Sequence, residues 1–180
     1  MIMETFCPDR SFVDHPEYET KRANALNRLD LKSIDEPIID IVESCSRLPH
    51  CFTLQSCYGH FVHSGQPNTR YTGPLADCPP DAQIEYRIAY LALCIQNSPP
   101  GHTLFKDFQS LTRIDPQYIQ VGSAHWFWRQ NVNTYAIQVE PERFKNQDTA
   151  MVSLDEALHL ESVRNDVFQE IRQILSKHLG

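Results

Sequence analysis

The amino-acid sequence predicts an α+β fold: a two-layer mixed sheet with helices packed on it and a long helix at the C-terminus. Three features carry that expectation. Two stretches of helical period open the chain, stretches of strand period fill its middle, and from Ser153 onward an apolar stripe of helical period runs to the end. With 180 residues, 41% hydrophobic and 22% charged, the chain is long enough to bury a core and reads as a single domain, 1–180. The same composition excludes a polar disordered chain and a collagen-like one.

Each element follows from a local pattern. Asp14 offers an N-cap with Pro16 in the first turn, and Ala23, Leu26 and Leu29 recur at helical spacing up to about Asp30. Ser33 and Glu36 form a capping-box pattern, and Ile34, Ile38, Ile41, Val42 and Cys45 predict a second helix to about Arg47, ending before Pro49. Past Cys51 the period shortens. Phe52-Thr53-Leu54, followed by Cys57 to His63, predicts a β-hairpin turning near Tyr58-Gly59. Residues 64–82 hold two Gly and four Pro and read as a long loop. Residues 84–95 fit either a helix face or a buried strand, and the order of elements favours a strand. Leu104, Phe105, Phe108 and Leu111 predict a short helix stopped by Pro116, and 118–122 and 135–139 alternate as strands. Ser153 with Glu156 caps the final helix, whose buried stripe is Ala157, Leu160, Val163, Val167, Ile171 and Ile174.

Charge and compartment narrow the function classes. Sixteen Lys and Arg against 23 Asp and Glu give a net charge of −7, which argues against a generic basic nucleic-acid binder while leaving room for a local basic site. No secretory leader and no membrane-spanning run is read, so the expectation is a cytoplasmic protein without a membrane partner. Its cysteines, at 7, 45, 51, 57, 78 and 94, are then free thiols. The chain has six Gly and no Gly-x-Gly-x-x-Gly, Walker loop, Gly-x-Ser-x-Gly elbow or His-Glu-x-x-His helix.

Three groups of residues are candidates for chemistry. Cys45, His50, Cys51, Cys57, His60 and His63 are soft ligands close in sequence, but on continuous strands His60 would face away from Cys57 and His63, so no metal is favoured. His125-Trp126-Phe127-Trp128-Arg129, with Ser123 just before it, reads as a ring platform for a base or cofactor or as a packed strand, the latter favoured. Asp35-Glu36 reads as a general base or amine-binding pair, or more simply as acidic residues at a helix start.

One pattern goes further. Asp9-Arg10-Ser11-Phe12, Lys21, Leu29-Asp30, Ser33-Ile34-Asp35-Glu36 and Pro49-His50-Cys51-Phe52-Thr53-Leu54-Gln55-Ser56-Cys57-Tyr58-Gly59 resembles the N-terminal signature of the tRNA wybutosine-synthesising methyltransferase family. Phe12, Lys21, Ser33, Asp35, Glu36, Phe52, Thr53, Ser56, Cys57 and Gly59 match over roughly a third of the chain. His60 stands where the family's turn carries Arg, Gln55 and Tyr58 replace serines, and nothing beyond residue 100 is matched. The resemblance implies S-adenosylmethionine as cofactor, tRNA as partner, and methyl transfer to a tricyclic guanosine. It implies Ser56, Cys57 and Asp35 as catalytic residues and Lys21, Thr53, Gly59 and His60 as binding residues; Ser123 and Trp126 join them from the aromatic segment. The alternatives are a non-enzymatic small-molecule- or metal-binding protein on the same fold and an interaction protein built on the acidic surface and terminal helix.

Overall fold

A computed structural model of the chain describes residues 9–63, 75–123, 125–144 and 147–180. The fold is α+β, with strands in two antiparallel sheets. Helices are α1 (Tyr18–Asn27), α2 (Ile39–Arg47), α3 (Pro99–Gln109), α4 (His125–Gln130) and α5 (Leu154–Leu179). Strands are β1 (Cys51–Cys57), β2 (His60–Val62), β3 (Gln83–Arg87), β4 (Ala89–Ile95), β5 (Ile119–Ser123), β6 (Thr134–Val139) and β7 (Thr149–Ser153). The larger sheet runs β1-β4-β6-β5 and the smaller β2-β3-β7.

The two faces of the larger sheet do different work. Leu91, Leu93 and Ile95 alternate along β4 into the main core, together with Leu104, Phe108, Leu160, Val167 and Ile171 from α3 and α5. Fully burying one such side chain contributes about 1.5–3 kcal/mol, so the 26-residue α5 is held chiefly by its apolar stripe. Ser153 caps it as expected, its Oγ accepting from the Glu156 N–H. On the opposite face Phe52 and Cys94 pack with Tyr18 of α1. Beyond α1 the described residues leave part of that face uncovered, and the site lies there.

Several boundaries differ from the expectation. The first helix starts at Tyr18, and Asp14 does not cap it. The second starts at Ile39, because Leu31–Ser33 and Glu36–Ile38 are separate 3-10 turns; Ser33 Oγ donates to the Asp30 carbonyl rather than capping a helix. The 64–82 loop lies outside the described residues over 64–74, with Leu75–Asp77 forming a 3-10 turn. The aromatic segment is α4, not a strand. A strand would aim Trp126 and Trp128 at one face, whereas on a helix they diverge: Trp128 is buried and Trp126 is 53% exposed. Strand β7 was not expected, although Ala150 and Val152 are buried between exposed neighbours.

The hairpin is the main correction. β1 and β2 do not pair with each other: β1 pairs with β4, and β2 pairs with β3. The 84–95 strand likewise divides at Ile88 into β3 and β4. Both lines of chain pass from one sheet to the other at the same level, Cys57 opposite Tyr90 on one side and His60 opposite Arg87 on the other. The result is a crease. At its turn Gly59 holds φ +86°, and a Cβ there would lie 2.7 Å from Ala89 Cβ, so the position needs glycine both for its backbone and for its space.

Candidate functional site in the crease between the sheets

A cleft of about 550 Å³ opens on the free face of the larger sheet, within the range of small-molecule and cofactor sites. Its floor follows from strand register. Cys57 opposite Tyr90, Gln55 opposite Ala92, Ala92 opposite Ala136 and Tyr90 opposite Gln138 are cross-strand pairs on one face, and Gln55, Cys57, Tyr90, Ala136 and Gln138 all line the cleft. Arg87 and Ile88 supply the crease, Asp148 and Thr149 one rim, and His125, Trp126 and Phe127 of α4 the other. The Ile88 N–H donates to the Asp148 carbonyl at 3.3 Å, tying that rim to the crease. Rings, the three amides of Gln55, Gln138 and Gln147, a guanidinium and a carboxylate thus line one cavity. Burial, with Cys57 next in effect, pushes the Tyr90 phenol up to about 12, so it stays a neutral donor.

Register also separates residues that the sequence grouped. A β-bulge between Thr53 and Gln55 resets the alternation of β1. Thr53 is opposite Leu93 and Ser56 opposite Leu91, so both point to the main-core face while Cys57 points to the cleft. Ser123 is buried, and its Oγ accepts from the Arg10 N–H at 3.0 Å. Neither Ser123 nor Lys21 of α1 lines the cleft. Trp126 does, and Gly59 makes the turn beside it.

Asp35, Cys57 and His60 come together. Asp35 stands before α2 and does not cap it; its Oδ2 accepts from the Tyr58 N–H at 2.7 Å and lies 3.3 Å from His60 Nε2. Cys57 Sγ accepts from the Gly59 N–H at 3.4 Å, and donor atoms of all three side chains lie within 4.8 Å of one another. The Asp35 carboxylate, then the Cys57 thiol, push His60 up to about 9. His60 in turn holds Asp35 below the usual carboxylate range, against burial and with help from the Tyr58 N–H. On one continuous hairpin His60 would face away from Cys57. Because the chain changes sheets at Tyr58-Gly59, that alternation does not carry across, and Asp35 rather than His63 completes the group.

One buried cation holds the turn from behind. Arg164 of α5 is 4% exposed, donates to the Gly59 carbonyl at 3.2 Å and stacks its guanidinium 4.0 Å from the Tyr58 ring centre. Tyr58 also donates to Asn165 Oδ1 at 2.8 Å. The sequence carried a signal for Arg164: it falls on the helical stripe of Leu160, Val167 and Ile171, where a charge is out of place without a partner. Tyr90, Arg87, Gln55 and Gln138 carry none without the register.

No helix among the described residues is long and apolar enough to cross a membrane. The chain matches no family model, and no curated protein is similar to it. Solved structures are similar in fold. The PH1069 protein from Pyrococcus horikoshii superposes with a TM-score of 0.52 at 12% identity over 89% of this chain and 93% of that one. A structure of PH1069 from Pyrococcus horikoshii OT3 gives 0.52 at 13%, over 98% and 96%. A hypothetical protein from Aeropyrum pernix gives 0.41 at 10%, over 80% and 96%. At these identities the likeness is one of fold: the chain shares the architecture of PH1069 along nearly its whole length.

Proposed function

We propose that this chain is a divergent relative of the wybutosine-synthesising methyltransferases, a cytoplasmic protein that holds S-adenosylmethionine in the aromatic cleft and acts on a tRNA base. One observation carries the reading. Two separated segments of the resembling motif, Ser33–Glu36 and Pro49–Gly59, meet in space: Asp35 of the first accepts from the Tyr58 N–H of the second, and Cys57 beside that turn is a wall of the cleft.

The cleft suits the cofactor chemically. Trp126 offers a face to an adenine or to a sulfonium cation, Gln55 and Gln138 offer amides to a base edge, and Asp148 offers a carboxylate to an amine. The cofactor, when bound, supplies an electrophilic methyl group, and transfer from it needs alignment and shielding more than a strong base. The chain's own tasks are then positional. Trp126 and Phe127 cover the cleft, Tyr90 donates a hydrogen bond from its floor, and the Asp35–His60 pair keeps the turn at Tyr58-Gly59 in place. With a net charge of −7, tRNA contact rests on local cations such as Arg87 at the crease. Free thiols at Cys45, Cys51, Cys57, Cys78 and Cys94 fit a reducing compartment.

Thermal shift tests the reading. S-adenosylmethionine at one hundred times its dissociation constant should stabilise by about 2.7 kcal/mol and raise the melting temperature by roughly 5–10 °C. No shift at millimolar cofactor removes the methyltransferase reading and leaves a cleft for another small molecule. Binding of unmodified tRNA should weaken steeply with salt.

A further inference from the structure

We propose that Asp35, Cys57 and His60 form a binding site for one zinc-class divalent ion at the edge of the cleft. The three donors come from three places in the chain that the crease brings together: the turn before α2, the end of β1 and the start of β2. An imidazole, a thiol and a carboxylate are the donor types zinc accepts, and their separation suits it. With bonds of about 2.0 Å to nitrogen and oxygen, a tetrahedral edge is about 3.3 Å, and one to sulfur about 3.5 Å. His60 Nε2 and Asp35 Oδ2 already stand 3.3 Å apart, and the sulfur lies within 4.8 Å.

The surroundings are those of a metal site rather than a bare ion pair. An Asp–His pair does not need a thiol. Here both anionic donors are held by backbone N–H groups, Asp35 by Tyr58 at 2.7 Å and Cys57 by Gly59 at 3.4 Å, which is how outer-sphere hydrogen bonds fix ligand orientation. Cys57 is only half-buried, whereas Cys45, Cys51, Cys78 and Cys94 are buried. Three protein donors leave one coordination position for water or a ligand, the arrangement of a catalytic rather than a structural zinc, and through Cys57 the group borders the cleft. The inference stands apart from the methyltransferase reading and does not require it.

The test uses the full chain stripped with a chelator and titrated with cobalt, then zinc. The expected result is one equivalent bound, a cobalt–thiolate charge-transfer band, and displacement of that band by zinc. Cys57→Ser should abolish the band, and His60→Gln should weaken zinc by more than about a hundredfold, the upper end of what losing an outer-sphere partner costs. His159→Gln, which removes a surface histidine paired with Asp115, should change neither. Absence of the band from the unaltered chain, or stoichiometric zinc binding that survives Cys57→Ser together with His60→Gln, overturns the proposal. A measurement on the unaltered chain guards against variants that do not fold: zinc should protect Cys57 from alkylation. Equal alkylation with and without zinc also overturns it. Cofactor binding without zinc binding, or the reverse, tells the two readings apart.

Discussion

His60 Nε2 lies 3.3 Å from Asp35 Oδ2, across a boundary where the chain leaves one sheet for the other. The contact sets the charge of both groups. Asp35 first, and Cys57 second, push His60 up to about 9 from an ordinary 6.5. In chelator-treated protein the His60 ring should therefore titrate near 9 by NMR, and Asp35→Asn should return it toward 6.5. The stability it gives has a defined window. A proton bound more tightly in the folded chain stabilises fully below pH 6.5, and that contribution is lost as pH rises through about 9. Asp35, held low, contributes above its ordinary 3.8 and loses that contribution as pH falls below it. The pair should thus stabilise most between about pH 4 and 6.5. A His60 that titrates near 6.5 in the unaltered chain would show that the contact does not persist in solution.

Gly59 is the residue that makes the contact between Asp35 and the turn geometrically accessible. A side chain there meets both a left-handed backbone, φ +86°, and the Ala89 Cβ at 2.7 Å. Gly59→Ala should cost about 2–4 kcal/mol, from backbone strain and overpacking together. That corresponds to a fall of roughly 5–15 °C in melting temperature for a chain of this size. Differential scanning calorimetry checks it, and a fall under 2 °C would mean the turn relaxes freely.

How much of this was legible in the sequence depends on the range of the interaction. The terminal helix, its Ser153 cap and the strand periods at 118–122 and 135–139 are local, and the sequence announces them to within a residue of the observed Ile119–Ser123 and Thr134–Val139. The partition of β1 and β2 into different sheets is not local. A turn at Gly59 looks the same whether the next strand pairs back or crosses over, and only β3 and β4 breaking at Ile88 decides it. The same non-local step decided the site. Asp35 and Cys57 belong to the motif, but their neighbours in it face the other side of the sheet: Ser56 because it alternates with Cys57, and Thr53 because the bulge at Leu54 moves it off the face of Gln55 and Cys57. Trp126 was named from composition, as part of a segment read chiefly as strand, and it reaches the cleft because that segment is a helix.

Arg164 should prove structural for the turn and distinct from the charges at the surface. Its guanidinium donates to the Gly59 carbonyl and stacks on Tyr58 from a buried position. Arg164→Met leaves that carbonyl without its donor and removes the stacking, and should cost about 2–4 kcal/mol. Arg164→Lys should recover only part of this, because an ammonium lacks the planar fork. Arg172→Met, which removes an exposed pair with Asp40, should cost under about 1 kcal/mol. Urea unfolding of the three variants orders them, and equal losses for Arg164 and Arg172 would refute the assignment.

Trp126 and Trp128 sit two residues apart on α4 and should behave oppositely. Trp128 is buried against Tyr135, ring centres 5.7 Å apart, with the Arg10 guanidinium 5.4 Å from its own ring centre. Truncating it to alanine should cost about 3–5 kcal/mol, as for other buried aromatic residues. Trp126 is 53% exposed over the cleft, so Trp126→Ala should leave stability within about 0.5 kcal/mol. Its effect should fall on binding. If an adenine or another base stacks there, losing the ring should weaken the ligand by roughly 5- to 150-fold, the range of about 1–3 kcal/mol per stacked base. Calorimetry of both variants, with S-adenosylmethionine titrated into each, separates the roles. Unchanged affinity in Trp126→Ala would move the ligand off α4 and onto the strand floor formed by Gln55, Tyr90 and Gln138.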